Sequence, residues 1–224
     1  MHAPMIVVRD LSLTLISGAA PVNVLQNLNF QVEAGESVAV VGPSGSGKTS
    51  FLMLLSGLER PSAGSIHVAG HDLSHMDEDG LARFRQQHVG IVFQNFLLLP
   101  ALNAEDNVAL PLELAGIADA RKRARQALVQ VGLEHRLHHL PSQLSGGEQQ
   151  RVAVARAFAG GPALILADEP TGNLDAATGA RVMELLFGLH EDHGTTLLLV
   201  THDPGLAARC QRRMRLTRGH LEEL

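Results

Sequence analysis

The chain has no tryptophan and no tyrosine, and only seven phenylalanines among its 224 residues. A ligand site built on a Trp or Tyr ring is therefore excluded. With one cysteine, Cys210, it can form neither an intramolecular disulfide nor a Cys-based zinc site, as expected in a reducing compartment. Long apolar runs are also missing. Stretches such as residues 163–167 and 197–200 fall far short of the roughly 18 residues needed to cross a bilayer. The first ten residues hold no basic segment followed by an apolar run, and a cytoplasmic location is expected. Basic charge is not in excess either: 18 Lys and Arg stand against 23 Asp and Glu, a formal net charge of −5. No electrostatic footprint for nucleic acid results. What remains is a globular composition, 45% hydrophobic and 18% charged, long enough for one large domain or a core carrying a sub-lobe.

Periodicity organises the chain. Residues 5–9, 28–33 and 65–69 alternate or cluster apolar side chains between Gly and Pro signals, predicting an antiparallel β lobe near the N-terminus. Residues 37–41, 89–93, 163–167 and 196–200 are apolar almost throughout, the pattern of parallel strands covered by helices on both faces. Helical patterning fills the interval between, over 104–116 and 118–131, with Gly116 and Gly132 as stops. A third helix should start at Ser145, whose side chain can cap it, and run to Phe158. The expected fold is α/β, with a helical lobe inserted into the sheet domain.

Three motifs carry chemistry. After the 37–41 strand comes Gly42-Pro43-Ser44-Gly45-Ser46-Gly47-Lys48-Thr49-Ser50, which contains G-x-x-x-x-G-K-[ST] and leads into an apolar run at 51–55. Its glycines let the backbone curl so that N–H groups converge on phosphate oxygens at a helix N-terminus. Lys48 neutralises charge there, and Thr49 can ligate magnesium. The second motif is an apolar strand ending in Asp168 and Glu169, acids at the strand edge where α/β folds bind ligands. Asp168 suits magnesium, and Glu169 suits the orientation and deprotonation of an attacking water. In the third, Leu144-Ser145-Gly146-Gly147-Glu148-Gln149-Gln150-Arg151, Ser and two Gly open a helix and again present bare N–H groups to an anion.

That octapeptide, about a hundred residues after a phosphate loop, resembles the signature of the ABC-type ATPases. The resemblance covers practically the whole chain and implies a RecA-like P-loop core (1–95 and 161–224) with a β lobe, plus a helical signature subdomain at 96–160. It implies that Gln94 is the Q-loop glutamine and a magnesium ligand, Asp175 the D-loop aspartate and His202 the switch histidine. Residues 170–175 and 107–112 are similar to the MacB, LolD and FtsE branch, in which a short ATPase serves a separate membrane permease. The implied partners are a second copy of the chain and a YbbP- or MacB-like permease at the inner membrane, with ATP and magnesium bound and no nucleic acid. Lys48, Glu169, His202 and Gln94 would then be catalytic. Ser145, Gly146, Gly147 and Asp175 would meet nucleotide across the dimer. One departure is that the adenine-stacking aromatic of the β lobe aligns with Leu15. The alternative is an FtsE-like nucleotide-gated scaffold with little turnover.

Other features have plainer readings. Arg121, Lys122, Arg123 and Arg125 are expected to form a solvated helix face, and His135, His138 and His139 an exposed or structural loop. Phe96 with Leu97, Leu98 and Leu99 is either a core segment or a docking patch for the permease.

Overall fold

A computed structural model of the chain describes residues 4–17 and 20–224. The strands are β1 (Ile6–Ser17), β2 (Ala20–Val32), β3 (Ser37–Val41), β4 (Ala63–Val68), β5 (His71–Asp72), β6 (Val89–Phe93), β7 (Leu164–Asp168), β8 (Thr196–Val200), β9 (Arg212–Thr217) and β10 (His220–Glu223). The helices are α1 (Lys48–Leu55), α2 (Glu78–His88), α3 (Ala104–Leu114), α4 (Ala120–Gln130), α5 (Gly146–Phe158), α6 (Ala176–His193) and the single-turn α7 (Pro204–Ala207). The chain divides into two compact units, one of residues 1–85 with 195–224 and one of residues 86–194.

The first unit holds the expected antiparallel lobe, in the order β2-β1-β4-β5. β1 and β2 are much longer than the alternation at 5–9 and 28–33 predicts, because the register between them shifts after Val8, Leu11 and Leu13. Each shift inserts a residue and breaks the period of two that marks a strand in sequence. Asp10 and Asn27 adopt left-handed φ values of 48° and 49°. They are held by a mesh in which Asn29 accepts from the Asp10 N–H and Ser12 Oγ accepts from the Asn27 N–H. In the same unit β3 lies between β8 and β9, parallel to both. This central place accounts for its uninterrupted apolar sequence, since Val38, Ala39 and Val40 are wholly buried. Phe51, Leu52, Leu54 and Leu55 of α1 add to this core, Phe51 meeting Phe30 edge-on at 5.6 Å. Arg218 and Gly219, both at positive φ, close the β9–β10 hairpin in the way a two-residue turn requires.

In the second unit β6 and β7 pair in parallel, with Phe93 opposite Asp168. α5 packs on β6 so closely that Gly90 has no room for a Cβ against the Ala157 carbonyl. α5 is buried almost all round, through Gln150, Val152, Ala153, Val154 and Ala155. α3, α4 and α5 fall where the sequence predicts helices. Asn103 caps α3 through the Asp106 N–H. α2 and α6 lie outside the sequence expectation, although Asp175 caps α6 and Gly194 ends it in a left-handed conformation, both ordinary boundary signals.

All four residues of the basic run are exposed, as expected of a solvated helix face, and two of them also pair with α3. Arg125 donates to Glu105 at 2.9 Å, and Arg121 bridges Asp106 at 2.9 Å, Glu105 and Glu113. The Glu105 side chain is only 2% exposed. The run therefore clamps α4 to α3, because a buried carboxylate has to find a cation. Lys122 and Arg123 are exposed as well.

Candidate functional site

The residues singled out by sequence fall in both units. In the first, the loop between β3 and α1 is shaped by its glycines. Gly42 lies against the Leu216 carbonyl with no space for a Cβ, and Gly45 and Gly47 take φ values of 76° and 100° that L side chains rarely adopt. Gly47 is the N-cap of α1 and supplies no side-chain cap, and the first turn carries no acid. A helix start without a side-chain cap or an acid is the kind of N-terminus that suits an anion. Lys48 is buried and folds back, its ammonium donating to the carbonyls of Gly42 at 3.0 Å and Pro43 at 2.9 Å. Ser46 Oγ is buried with no hydrogen-bond partner among the described residues. An orphaned hydroxyl and a cation parked on its own loop, at a helix start with no side-chain cap, fit a polyphosphate. Pro43, Ser44 and Thr49 are exposed and Ser50 is half-buried. His202 is exposed just beyond β8. Leu15, opposite Val22 in the β1–β2 ladder, is 40% exposed.

The second unit brings together the acids, the glutamine and the signature. β7 delivers Asp168 at its last residue, 9% exposed. Glu169 follows with φ of 43°, a left-handed conformation that disfavours a Glu by about 1–2 kcal/mol and persists only where neighbours impose it. Gln94, one residue beyond β6, is bound from the other strand's loop. Its Nε2 donates to Asn173 Oδ1 at 3.3 Å, and Asn173 Nδ2 donates to the Gln94 carbonyl at 3.0 Å and to Asn95 Oδ1 at 2.8 Å. A Cβ at Gly172 would meet the Gln94 amide nitrogen, 2.5 Å from that position, and would force the Gln94 side chain to shift.

Ser145 caps α5 reciprocally with Glu148. Ser145 Oγ accepts from the Glu148 N–H, while Glu148 Oε2 accepts from the Ser145 N–H at 2.8 Å and from its hydroxyl at 2.9 Å. The Ser145 N–H holds the Glu148 carboxyl below the usual carboxylate range. Burial opposes this, and the Ser145 hydroxyl and Arg136 reinforce it. Gly146 and Gly147 open the helix, and a cavity of about 530 Å³ beside them is lined by Ser145, Gly147, Arg151, Thr178 and Arg181. Asp175 caps α6 by accepting from Thr178, whose hydroxyl and N–H draw its carboxyl below the ordinary value.

Beyond Gln94 the chain turns through Phe96 and Leu97, both at positive φ. Arg156 of α5 grips both carbonyls, Nη2 donating to Phe96 at 2.8 Å and Nη1 to Leu97 at 2.6 Å, and burial lowers the pKa of its guanidinium. Leu97 and Leu99 are the exposed members of the segment, at 55% and 47%, while Phe96 and Leu98 are half-buried. Sequence reasoning passed over Arg156, Gln150 and Asn173. None of the three stands out in the sequence, since Gln150 lies among Glu148, Gln149 and Arg151 on the same helix.

The family model for the ABC transporter matches residues 25–172 of the chain. The chain belongs to the ABC transporter family. It is an ATP-binding, ATP-hydrolysing subunit of that family. It is 50% identical over 218 residues to the ABC transporter ATP-binding protein YbbA of Escherichia coli, covering 96% of each chain. It is also 50% identical over 208 residues to the lipoprotein-releasing system ATP-binding protein LolD of Chromohalobacter salexigens, covering 92% of this chain and 88% of that one. Among solved structures it resembles the dimeric ATP-binding cassette MJ0796 in a post-hydrolysis state with ADP and Pi. There the TM-score is 0.90 and the identity 39%, over 98% of this chain and 99% of that one. These matches make the fold that of the ABC ATPases. No helix among the described residues is long and apolar enough to cross a membrane.

Proposed function

We propose that the chain is the motor subunit of a transporter of the MacB and LolD kind, working as a homodimer beneath a separate YbbP- or MacB-like permease on the cytoplasmic face of the inner membrane. ATP binds between protomers. Residues 42–50 of one protomer cradle the triphosphate, Lys48 leaves its loop carbonyls for phosphate oxygens, and Ser145 and Gly147 of the partner subunit close the far side. The observation that carries this reading is the phosphate loop itself, with Lys48 folded onto its own carbonyls, the Ser46 hydroxyl orphaned and α1 uncapped.

Thr49, Gln94 and Asp168 form a set of hard oxygen donors suited to magnesium, which when bound spreads the developing charge on the γ-phosphate. Glu169 takes the proton of the attacking water. Gln94 and His202 place the water and the γ-phosphate for in-line displacement, and Asp175 contacts the site across the dimer. Leu15 covers part of the base by apolar contact. Closing on ATP and opening after hydrolysis drives the permease, and the work resembles lipoprotein or lipid handling.

The test is Glu169→Gln. It keeps the shape of the side chain but cannot accept a proton, and loss of a general base lowers rate by roughly 10²- to 10⁴-fold. The variant should bind ATP normally and elute as an ATP-bound dimer in gel filtration. Unchanged ATPase rates would overturn the assignment of the base, and turnover in the wild type separates a motor from a gated scaffold.

A further inference from the structure

α4 carries Arg121, Lys122 and Arg123 in its first turn and Arg125 one turn on, with no acid in that turn and no side-chain cap from Asp119. Cations at a helix N-terminus meet the positive end of the macrodipole, so local helix stability disfavours this arrangement. Two of the four have a structural reason. Arg121 and Arg125 hold the buried Glu105 of α3, and Arg121 also reaches Asp106 and Glu113. Lys122 and Arg123 have no such reason: both are exposed, and neither meets an acid among the described residues. The chain as a whole bears a formal net charge of −5, so this concentration of positive charge is local.

The four side chains rim an open groove of about 950 Å³ between α4 and the C-terminal ends of α5 and α6. Its floor is apolar. Ala127 and Phe158 are buried there, Phe158 with its ring 6.0 Å from that of His193, and Val129 adds an apolar side chain that is 54% exposed. Cations above an apolar floor are complementary to a molecule with a phosphate at one end and hydrocarbon at the other. Inorganic phosphate would use the rim and leave the floor in water.

We propose that this groove binds the headgroup of an anionic phospholipid, so that the subunit touches the membrane surface directly as well as through its permease. The inference rests on the reading of the chain as a subunit working at the inner membrane, whose cytoplasmic leaflet presents such headgroups to basic clusters.

The experiment measures co-sedimentation of the purified chain with vesicles of phosphatidylcholine alone and of an equimolar mixture of phosphatidylcholine and phosphatidylglycerol. The wild type should bind the mixture, leave phosphatidylcholine alone unbound and be released by raised salt. Lys122→Glu combined with Arg123→Glu should lower the partition coefficient at least about tenfold, and Val129→Ser about threefold. Arg121 and Arg125 stay untouched because they hold Glu105. Melting of the double variant should hold or rise, since acids suit the first turn of a helix, and its ATPase rate should match that of the wild type. A purely structural role for the two cations would lower melting and leave vesicle binding in place. Wild-type binding by the double variant or by Val129→Ser overturns the groove as the site. Release by millimolar inorganic phosphate at constant ionic strength assigns the groove to a free anion and overturns the lipid. Absence of binding to the mixture overturns it too, and if the double variant then loses co-purification with the permease, the groove belongs to an acidic segment of that partner. The vesicle assay needs no permease, so its failure leaves the proposed transporter role standing, and that role is tested separately by co-purification.

Discussion

Gly147 has no room for a side chain because the Cγ2 methyl of Thr178 fills the place a Cβ would take. The second glycine of the signature and the first turn of α6 are therefore in direct contact, and Thr178 is also the residue whose N–H Asp175 caps. Gly147→Ala must push Thr178 aside, and overpacking of this kind costs about 1–3 kcal/mol. ATPase activity should fall at least about tenfold. Thr178→Ser removes the methyl and keeps the N–H, so the double variant should recover most of the loss. A double-mutant cycle measures this, and additive effects would show that the contact is not the cause.

The Ser145–Glu148 cap predicts a pH dependence. A carboxyl whose pKa is lowered by folding contributes stability that is fully present above its unfolded value, about 4.3 for Glu. That contribution is lost as pH falls through the lower folded value. The gap in urea midpoint between wild type and Glu148→Gln should therefore hold steady from neutral pH down to about 5 and shrink below about 4. A gap that stays constant into stronger acid would mean that the Glu148 charge contributes nothing to the cap.

Leu99 is a surface residue whose backbone, not its side chain, is tied down: its N–H donates to Asn107 Oδ1 at 2.7 Å and its carbonyl accepts from Asn107 Nδ2 at 3.1 Å. If the segment after Gln94 receives the permease, Leu99→Glu places a carboxylate in a desolvated interface. Co-purification with the membrane subunit in detergent should be lost while melting stays within about 2–4 °C of wild type. Retained co-purification would move the docking surface elsewhere.

Leu15 offers the base an apolar edge but no π face, and stacking on an aromatic side chain is worth roughly 1–3 kcal/mol per base in nucleic-acid complexes. The phosphate loop is blind to the base. GTP should compete with ATP to within about tenfold, or 1.4 kcal/mol. A hundredfold preference for ATP in competition binding would point to hydrogen bonds that read adenine.

Sequence alone determined the features whose cause is local. β3 and β8 match the apolar runs at 37–41 and 196–200, since a strand covered on both faces writes its burial into nearly every residue. The phosphate loop and the cap at Ser145 are legible because their geometry depends on residue types a few positions apart. Tertiary structure alone decided the rest. The length of β1 and β2 is hidden by bulges that scramble the period of two. The pairing of Arg121 and Arg125 turned on Glu105, fifteen or more residues away and buried. Which leucines after Gln94 face water was settled by Arg156, which pins two carbonyls 59 and 60 residues upstream. The hydrogen bonds from Gln150 to the Pro170 and Phe93 carbonyls and from Asn173 to the Gln94 carbonyl likewise join residues 20, 57 and 79 positions apart. Short-range geometry is set by steric and hydrogen-bonding preferences that a sequence carries in order. A side chain's partners across the fold are chosen by packing, and packing has no counterpart in that order.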